Sequence, residues 1–325
     1  MTAIISHRHL GVGEITLHVA EAGRGPTVVL LHGFPELWYS WRHQLVALAA
    51  AGYHAVAPDL RGYGESSRPE PVDDYAMTSM VGDVIGLLDT LGAQTASVVG
   101  HDWGANIAWT LAQVHPERVS SLAALSVPLQ PRPLLPPTQI LRAMGEQRFN
   151  WALYFQEPGV AEAEMGTDTR RTLRLIFSAL SGDAPTGLAE RLLTGLPPGS
   201  RLLDPIPEPG QLPAWLSGDD LDVYTAAFVR TGFTGALNRY RNLDRDWADL
   251  ADVGTRLIER PVLFLGGEVD TATRFVGHQY MEQAVPRLAR VILPGCGHWV
   301  QQEQPQQVNH ELAVFLDAHT TARHP

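Results

Sequence analysis

The stretch Val98-Val99-Gly100-His101-Asp102-Trp103-Gly104 decides how the rest of the chain is arranged. An apolar β-branched run ends at a glycine, and a helical pattern over residues 103–115 begins just after Asp102. This order is typical of a nucleophile elbow, a tight strand-to-helix turn that lifts one side chain above a sheet. The turn is crowded, so a Cβ at position 100 or 104 would collide with neighbouring backbone. The raised carboxylate can attack saturated carbon without losing a proton. The alternative is a loop aspartate that caps the helix.

Strand-like segments recur along the chain and alternate with helical ones. Residues 27–31 form a continuous apolar run, as expected of a strand that is buried on both faces. Ile15 to Ala20 instead alternates apolar and polar side chains, which favours an antiparallel edge strand. Alternation of strands with helices predicts an α/β fold with a mostly parallel, doubly wound sheet. The other predicted buried strands are residues 55–57, 96–99, 122–127, 262–265 and 291–293.

This alternation stops in the middle of the sequence. Between Pro128 and about Leu250 the chain is helical and loop-like, rich in proline, arginine and tryptophan, with no convincing buried strand. Strands resume from Pro261. We therefore expect residues 1–128 and 250–325 to form the core, and residues 129–249 to form a helical lid inserted above it.

Composition narrows the possible functions. The 325 residues are 45% hydrophobic and 18% charged, which is ordinary for a globular protein. A net charge of −11 argues against nucleic acid or an anionic membrane as partner. All 24 basic residues are arginines, which excludes Schiff-base and serine–lysine chemistry. No ligand spacing indicates a metal or cofactor, and one cysteine, Cys296, can form no intrachain disulfide. With no leader pattern or long apolar run, the sequence predicts a cytoplasmic protein.

Two further residues can complete a catalytic triad with Asp102. Asp270 and His298 each lie just past a predicted buried strand. The carboxyl ends of parallel strands meet at one edge of a sheet, so side chains from distant segments can assemble there. The three residues follow one known chain order of nucleophile, acid and base. Glu268 is the alternative acid, and a structural role is the alternative for His298.

The segment His32-Gly33-Phe34-Pro35 follows the first buried strand. Backbone N–H groups of Phe34 and Trp103 would then point at one spot above Asp102, where they could form an oxyanion hole. The Phe34–Pro35 bond is a candidate for the cis form, and an ordinary X-Pro turn is the alternative. His101 is expected to pack beneath the elbow as a structural residue rather than to act as a second base.

Five motifs in the core and the predicted lid together carry a specific resemblance. They are His32-Gly33-Phe34-Pro35-Glu36, Asp59-Leu60-Arg61-Gly62-Tyr63-Gly64-Glu65-Ser66-Ser67, Gly100-His101-Asp102-Trp103-Gly104, Leu153-Tyr154-Phe155-Gln156-Glu157-Pro158-Gly159-Val160-Ala161-Glu162-Ala163-Glu164 and Asn238-Arg239-Tyr240-Arg241-Asn242. These motifs resemble those of the soluble-type epoxide hydrolases of the α/β-hydrolase fold, and the similarity runs from about Gly13 to Leu316. One departure is Thr271 after the acid, where that family commonly has proline.

The resemblance implies an α/β-hydrolase fold and conversion of an epoxide to a vicinal diol. Asp102 would attack a ring carbon while two lid phenols, Tyr154 and Tyr240, donate to the epoxide oxygen. A phenol suits this role because its ordinary pKa of about 10 keeps it protonated near neutral pH. The resulting ester would be hydrolysed by a water that His298 activates, with Asp270 orienting the imidazole ring.

The expected partners are a small apolar epoxide and water, and no cofactor or metal is required. We expect Trp299, Phe228 and Met144 to line an apolar pocket. Glu36 either helps to position the hydrolytic water, as the resemblance suggests, or is structural. The expected assembly is a monomer or a homodimer.

Two other functions use the same fold. A haloalkane dehalogenase shares the aspartate and the following tryptophan, but usually has asparagine or a second tryptophan as an N–H donor to the halide. Phe34 stands at that position here, and the predicted lid supplies phenols. A non-catalytic ligand receptor is disfavoured by the apparently complete triad.

Overall fold

A computed structural model describes residues 4–145, 149–194, 196–275 and 277–319. The strands in these ranges are β1 (Ser6–Val12), β2 (Ile15–Ala22), β3 (Thr27–Leu31), β4 (His54–Pro58), β5 (Ala96–His101), β6 (Val119–Leu125), β7 (Val262–Gly267) and β8 (Leu288–Leu293). They form one sheet in the order β1-β2-β4-β3-β5-β6-β7-β8. Strands β3 to β8 pair in parallel, whereas the β1–β2 and β2–β4 pairs are antiparallel. The mostly parallel sheet expected from the sequence is confirmed.

Helices flank this sheet and fill the stretch between β6 and β7. They are α1 (Arg42–Ala50), α2 (Met77–Thr90), α3 (Trp103–Val114), α4 (Pro137–Gly145), α5 (Trp151–Tyr154), α6 (Val160–Thr167), α7 (Thr169–Ala179), α8 (Leu188–Thr194), α9 (Gly218–Thr231), α10 (Thr234–Arg241), α11 (Leu243–Asp249), α12 (Thr271–Phe275), α13 (Gln279–Ala284), α14 (Val300–Glu303) and α15 (Pro305–His319). Short 3-10 helices span Trp38–Trp41, Val72–Tyr75 and Pro116–Arg118. None of the helices in the described ranges is long and apolar enough to cross a membrane.

The antiparallel edge of the sheet differs from the prediction. Ile15 to Ala20 belongs to β2, which is the second strand and not the edge strand. The edge is β1, whose first four residues, Ser6 to His9, are exposed. A strand with little apolar surface to bury has no alternating pattern, so β1 left no periodic signal in the sequence.

The centre of the sheet is buried and closely packed. All six residues of β5 are buried, as expected of a strand covered on both faces. Helix α3 packs on β5 and its neighbours, and Gly104 permits that approach: a Cβ there would lie 2.0 Å from the Leu31 carbonyl oxygen. Full burial of a side chain such as Val98 contributes about 1.5–3 kcal/mol. The elbow therefore stands on a rigid base.

Helices α4 to α11 lie between β6 and β7, and the described residues from 126 to 261 contain no strand. Part of this segment covers the carboxyl edge of the sheet, because the ring of Tyr240 on α10 lies 5.6 Å from that of Phe34. A second contact joins Tyr224 on α9 to Ser40 through their hydroxyl oxygens, 2.8 Å apart. Helices thus cover the carboxyl edge of the sheet.

Candidate active site

The elbow has the backbone expected of a strained, raised residue. Asp102 has φ 52° and ψ −117° and stands between β5 and α3. A Cβ on Gly100 would lie 2.1 Å from the Gly104 carbonyl oxygen, so the turn closes only with glycine there. Strained backbone of this kind is concentrated at functional sites. The side chain at 102 is held above the sheet by the turn itself.

A backbone N–H group holds the Asp102 carboxylate. The Phe34 amide donates to Oδ1 at 2.9 Å, and the Phe34–Pro35 peptide bond is cis. Trp103 is the first residue of α3, and an amide at that position has no acceptor within its own helix. The residues predicted for an oxyanion hole therefore lie beside the nucleophile.

The acid and the base approach Asp102 from the other strands. His298 donates from Nδ1 to Asp270 Oδ1 at 3.2 Å, and its Nε2 lies 3.8 Å from Asp102 Oδ2. Asp270 is buried, whereas the alternative acid Glu268 is exposed and accepts from the Gly295 amide. The structure thus brings together Asp102, Asp270 and His298, and it places Glu268 outside the cluster.

Ser126, which sequence reasoning missed, links the acid to the base. Its hydroxyl donates to Asp270 Oδ2 at 2.6 Å and accepts from His298 Nδ1 at 2.8 Å. Ser126 (φ 72°) and Asp102 are the two non-glycine residues with positive φ in the described part of the chain. Ser126 directly follows β6, so its place at a strand end was the one signal available.

Burial and neighbouring charges shift the pKa values of His298 and Asp270 in opposite directions. Burial alone would lower the pKa of His298, but the charges of Asp270 and Asp102 outweigh it and raise the pKa to about 9. Burial would raise the pKa of Asp270, yet the imidazolium and hydrogen bonds from His298 and Ser126 lower it. Asp270 is therefore ionised, and His298 is protonated at neutral pH.

Glu36 is completely buried beneath the site. Its Oε2 accepts from the Gly33 amide at 2.9 Å and from His101 Nδ1 at 2.6 Å. Its Oε1 accepts from the side chains of Gln301 and Gln302. Burial would raise the pKa of Glu36, but His101 and the Gly33 amide hold it at about 2.

His101 also lies beneath the elbow, as expected. While Nδ1 faces Glu36, Nε2 faces the backbone carbonyl oxygen of His298 at 2.8 Å. Both ring nitrogens of His101 therefore lie within hydrogen-bond distance of an oxygen. The Glu36–His101 pair therefore ties the Phe34 loop to the His298 loop.

Tyr240 is the predicted lid phenol that the structure places over the nucleophile. Its ring is 4% exposed and packs against Phe34, Trp103, Trp151 and Phe155. Burial raises the pKa of Tyr240 well above its ordinary value, and the charge of Asp102 adds to the effect. The phenol remains protonated throughout the physiological pH range.

The second predicted phenol, Tyr154, has a different place, and the prediction is wrong. Its hydroxyl donates to Glu164 Oε2 at 2.6 Å, and Glu164 also accepts from the Leu202 and Leu203 amides. The Tyr154 ring faces Phe149 rather than Tyr240. The physical reason is the direction of a helix face: Trp151 and Phe155, four residues apart, share the face toward Tyr240.

The three predicted pocket residues also need correction. Met144 is 77% exposed on α4, so it cannot line an internal pocket. Trp299 is buried behind the triad, with its ring 4.8 Å from that of His298 and its N–H donated to the Phe177 carbonyl oxygen. Phe228 packs against Phe233 inside the helical segment. The rings around Tyr240 form the apolar wall instead.

Arg239 is a further buried residue that the sequence did not single out. Its guanidinium lies 4.8 Å from the Trp103 ring centroid and pairs with Asp246. A cation stacked on an aromatic face is favourable when desolvated. No group of three or more His, Cys, Asp or Glu side chains in the described ranges is arranged to hold a metal ion.

Comparisons with known proteins agree with this architecture. Residues 26–305 match the family model described as the alpha/beta hydrolase fold. The chain is 46% identical to Epoxide hydrolase A of Mycobacterium tuberculosis over 314 residues, 96% of this chain and 97% of that one. It is 40% identical to Epoxide hydrolase 3 of Siraitia grosvenorii, over 96% and 98% of the two chains. The crystal structure of Epoxide Hydrolase A from Mycobacterium thermoresistibile superposes with a TM-score of 0.93 at 46% identity, over 98% and 100% of the chains. A likeness that runs through nearly the whole of both chains, at this level of identity, places the protein in the α/β-hydrolase superfamily as an epoxide hydrolase.

Proposed function

We propose that this enzyme opens its epoxide through a covalent ester on Asp102. The observation that carries the proposal is the unequal setting of the two carboxylate oxygens. Oδ1 is held by the Phe34 amide, whereas Oδ2 lies on the side of His298. Oδ2 is then the attacking atom, and Oδ1 is already seated where the oxyanion of the later tetrahedral intermediate develops. If the carboxylate acted only as a base, no oxyanion would form on it, and the hydrogen bond from the Phe34 amide to Oδ1 would have no catalytic role.

Ring opening needs a proton donor for the oxygen. An alkoxide is far too basic to leave unaided near neutral pH, and the buried Tyr240 phenol is the acid over the nucleophile. Oδ2 forms a bond to a ring carbon, the carbon–oxygen bond of the epoxide breaks, and the Tyr240 proton passes to the oxygen. The aromatic rings around Tyr240 suit a small apolar epoxide.

Hydrolysis of the ester then falls to His298. Forming the ester removes the charge of Asp102, which is one of the charges that raise the pKa of His298. The pKa of the imidazole falls at that moment, so the imidazolium releases its proton, and that proton restores the Tyr240 phenol. The neutral ring can then accept a proton from the attacking water. Asp270 stabilises the imidazolium that forms. Glu36 acts as a positioning residue, because both its oxygens are occupied by Gly33, His101 and the two glutamines.

The remaining proposals concern organisation. Residues 1–128 and 250–325 act as the hydrolase core, and residues 129–249 act as a lid that supplies Tyr240 and shelters the ester from bulk water. We place the enzyme in the cytoplasm as a monomer or homodimer, in keeping with its single, buried cysteine, Cys296. Size-exclusion chromatography with light scattering distinguishes the two assemblies.

Trapping the ester tests the mechanism. His298→Gln incubated with styrene oxide should gain the mass of one substrate on the peptide that holds Asp102, because alkylation proceeds while hydrolysis stops. Asp102→Ala is the matched control and should show neither adduct nor turnover. In a single turnover of the unchanged enzyme in heavy-oxygen water, the label should enter Asp102 and not the diol. Label found directly in the diol would show that water attacks the epoxide itself.

A further inference from the structure

We propose that Trp151 donates the second hydrogen bond to the epoxide oxygen, in the place predicted for a second phenol. This inference rests on the ester mechanism proposed above. It begins from the surroundings of Tyr240, where four rings lie at centroid distances of 5.0 to 5.6 Å. Two of them, Phe34 and Phe155, carry no donor. The other two are the indoles of Trp103 and Trp151.

The two indoles are placed differently. Trp103 belongs to the core, at the start of α3 directly after the nucleophile, and the Arg239 guanidinium covers its ring. Trp151 comes from the helical segment, at the start of α5, and meets Tyr240 edge-on at 5.3 Å with an interplanar angle of 87°. Trp151 therefore brings a second hydrogen-bond donor into the ring cluster that holds the Tyr240 phenol. The substrate oxygen can accept two hydrogen bonds because it carries two lone pairs.

The Trp151 N–H is available for that role. It makes no hydrogen bond to any residue within the described ranges, although four other tryptophans donate to a protein acceptor: Trp109, Trp215, Trp247 and Trp299. Trp151 is half-buried, so its N–H is not lost in the packed interior. The nearby Tyr154 hydroxyl is committed to Glu164. In the ring cluster over Asp102, Trp151 is the lid donor that complements Tyr240.

The chemistry that follows differs from that of two phenols. An indole N–H donates a hydrogen bond but does not release its proton. Tyr240 is then the sole acid, and Trp151 stabilises developing charge without becoming charged itself. An epoxide oxygen buried in this aromatic cluster with only one donor would keep an unsatisfied lone pair, which is unfavourable.

The test isolates the alkylation step. In the His298→Gln background the ester accumulates, so rapid quenching and mass spectrometry give the alkylation rate with styrene oxide directly. Adding Trp151→Phe keeps the ring but removes the donor, and should slow alkylation by about 10²-fold, as for other oxyanion donors. Trp151→Tyr restores a donor and should recover most of the rate. Tyr154→Phe, one turn along the same helix, is the matched control and should leave the rate unchanged.

A second measurement separates donation from mere support of the lid. With His298 present, the pre-formed ester of Trp151→Phe should decay at the wild-type rate, since the epoxide oxygen has already been protonated. A wild-type alkylation rate in Trp151→Phe, or equal slowing of alkylation and ester decay, would overturn the inference. A parent His298→Gln variant that forms no adduct at Asp102 would instead refute the proposed mechanism, with Trp151 intact.

Discussion

The sheet edge and the helical segment above it hold their candidate functional side chains by different means. At the sheet edge, Asp102, Asp270 and His298 leave the ends of three parallel strands, and hydrogen bonds to fixed partners orient each of them. In the helical segment, Tyr240 and Trp151 are positioned by ring packing. Strand ends fix a residue's location through the backbone, whereas a helical residue depends on which way its face turns.

Because of this difference, a sequence motif predicts the position of a side chain more reliably at a strand end than on a helix. A one-residue error at a strand end still leaves the side chain near the sheet edge. On α5, Trp151 and Tyr154 are three residues apart but have different neighbours. Trp151 packs against Tyr240, whereas the Tyr154 hydroxyl donates to Glu164. Residue type alone predicts Tyr154 as the second lid donor, whereas the positions of the side chains favour Trp151.

The largest expected effect tests the helical segment. Tyr240→Phe keeps the ring packing but removes the phenol that we propose as the acid for ring opening. We expect alkylation by styrene oxide to slow by on the order of 10²–10³-fold, the usual cost of losing a donor to developing oxyanion charge. Rapid-quench measurement in the His298→Gln background gives the rate. Circular dichroism should show an unchanged fold. Alkylation at the unchanged rate would show that Tyr240 does not take part in ring opening.

A pH experiment tests the charges at the sheet edge. The pKa of His298 is raised to about 9 in the folded protein, above its ordinary value of about 6.5. The folded state binds the proton more tightly, so this stabilisation is fully present below about pH 6.5 and is lost as pH rises through about 9. Urea unfolding of the wild type and His298→Gln should therefore show a smaller stability difference at pH 9.5 than at pH 6. A pH-independent difference would show that Asp270 and Asp102 do not hold the imidazolium.

The smallest effect concerns the hydroxyl that joins acid to base. Ser126→Ala removes one hydrogen bond to Asp270 and one acceptor for His298 Nδ1. A hydrogen bond of this kind is worth about 1 kcal/mol, so ester hydrolysis should slow by about five- to ten-fold. Alkylation should not change, because the base does not act in that step. A larger loss in alkylation than in hydrolysis would mean that Ser126 supports Asp102 instead.

The sequence predicted those features that the backbone determines. Buried strands such as β3 and β5 are continuous apolar runs, and the polar residues at their ends had to meet at one edge. Polar β1 buries little, so nothing in its pattern distinguished it from a loop. Apart from its place at a strand end, Ser126 gave no signal, because the sequence does not show which serine has a positive φ. Met144 was assigned by its apolar character, and only the packing of α4 shows that it faces solvent.

Burial of Cys296 has a consequence for an enzyme that handles electrophiles. Thiolates and free amines are the side-chain groups that epoxides alkylate most readily in proteins, and the thiolate rather than the thiol is the reactive form. Cys296 is 1% exposed, and burial raises its pKa far above neutrality. The 325 residues contain no lysine, and guanidinium groups stay protonated and unreactive. No lysine amine and no exposed cysteine thiolate therefore competes for the epoxide with the carboxylate that we propose as the nucleophile. An intact-mass spectrum of the trapped ester should accordingly show one adduct against little background.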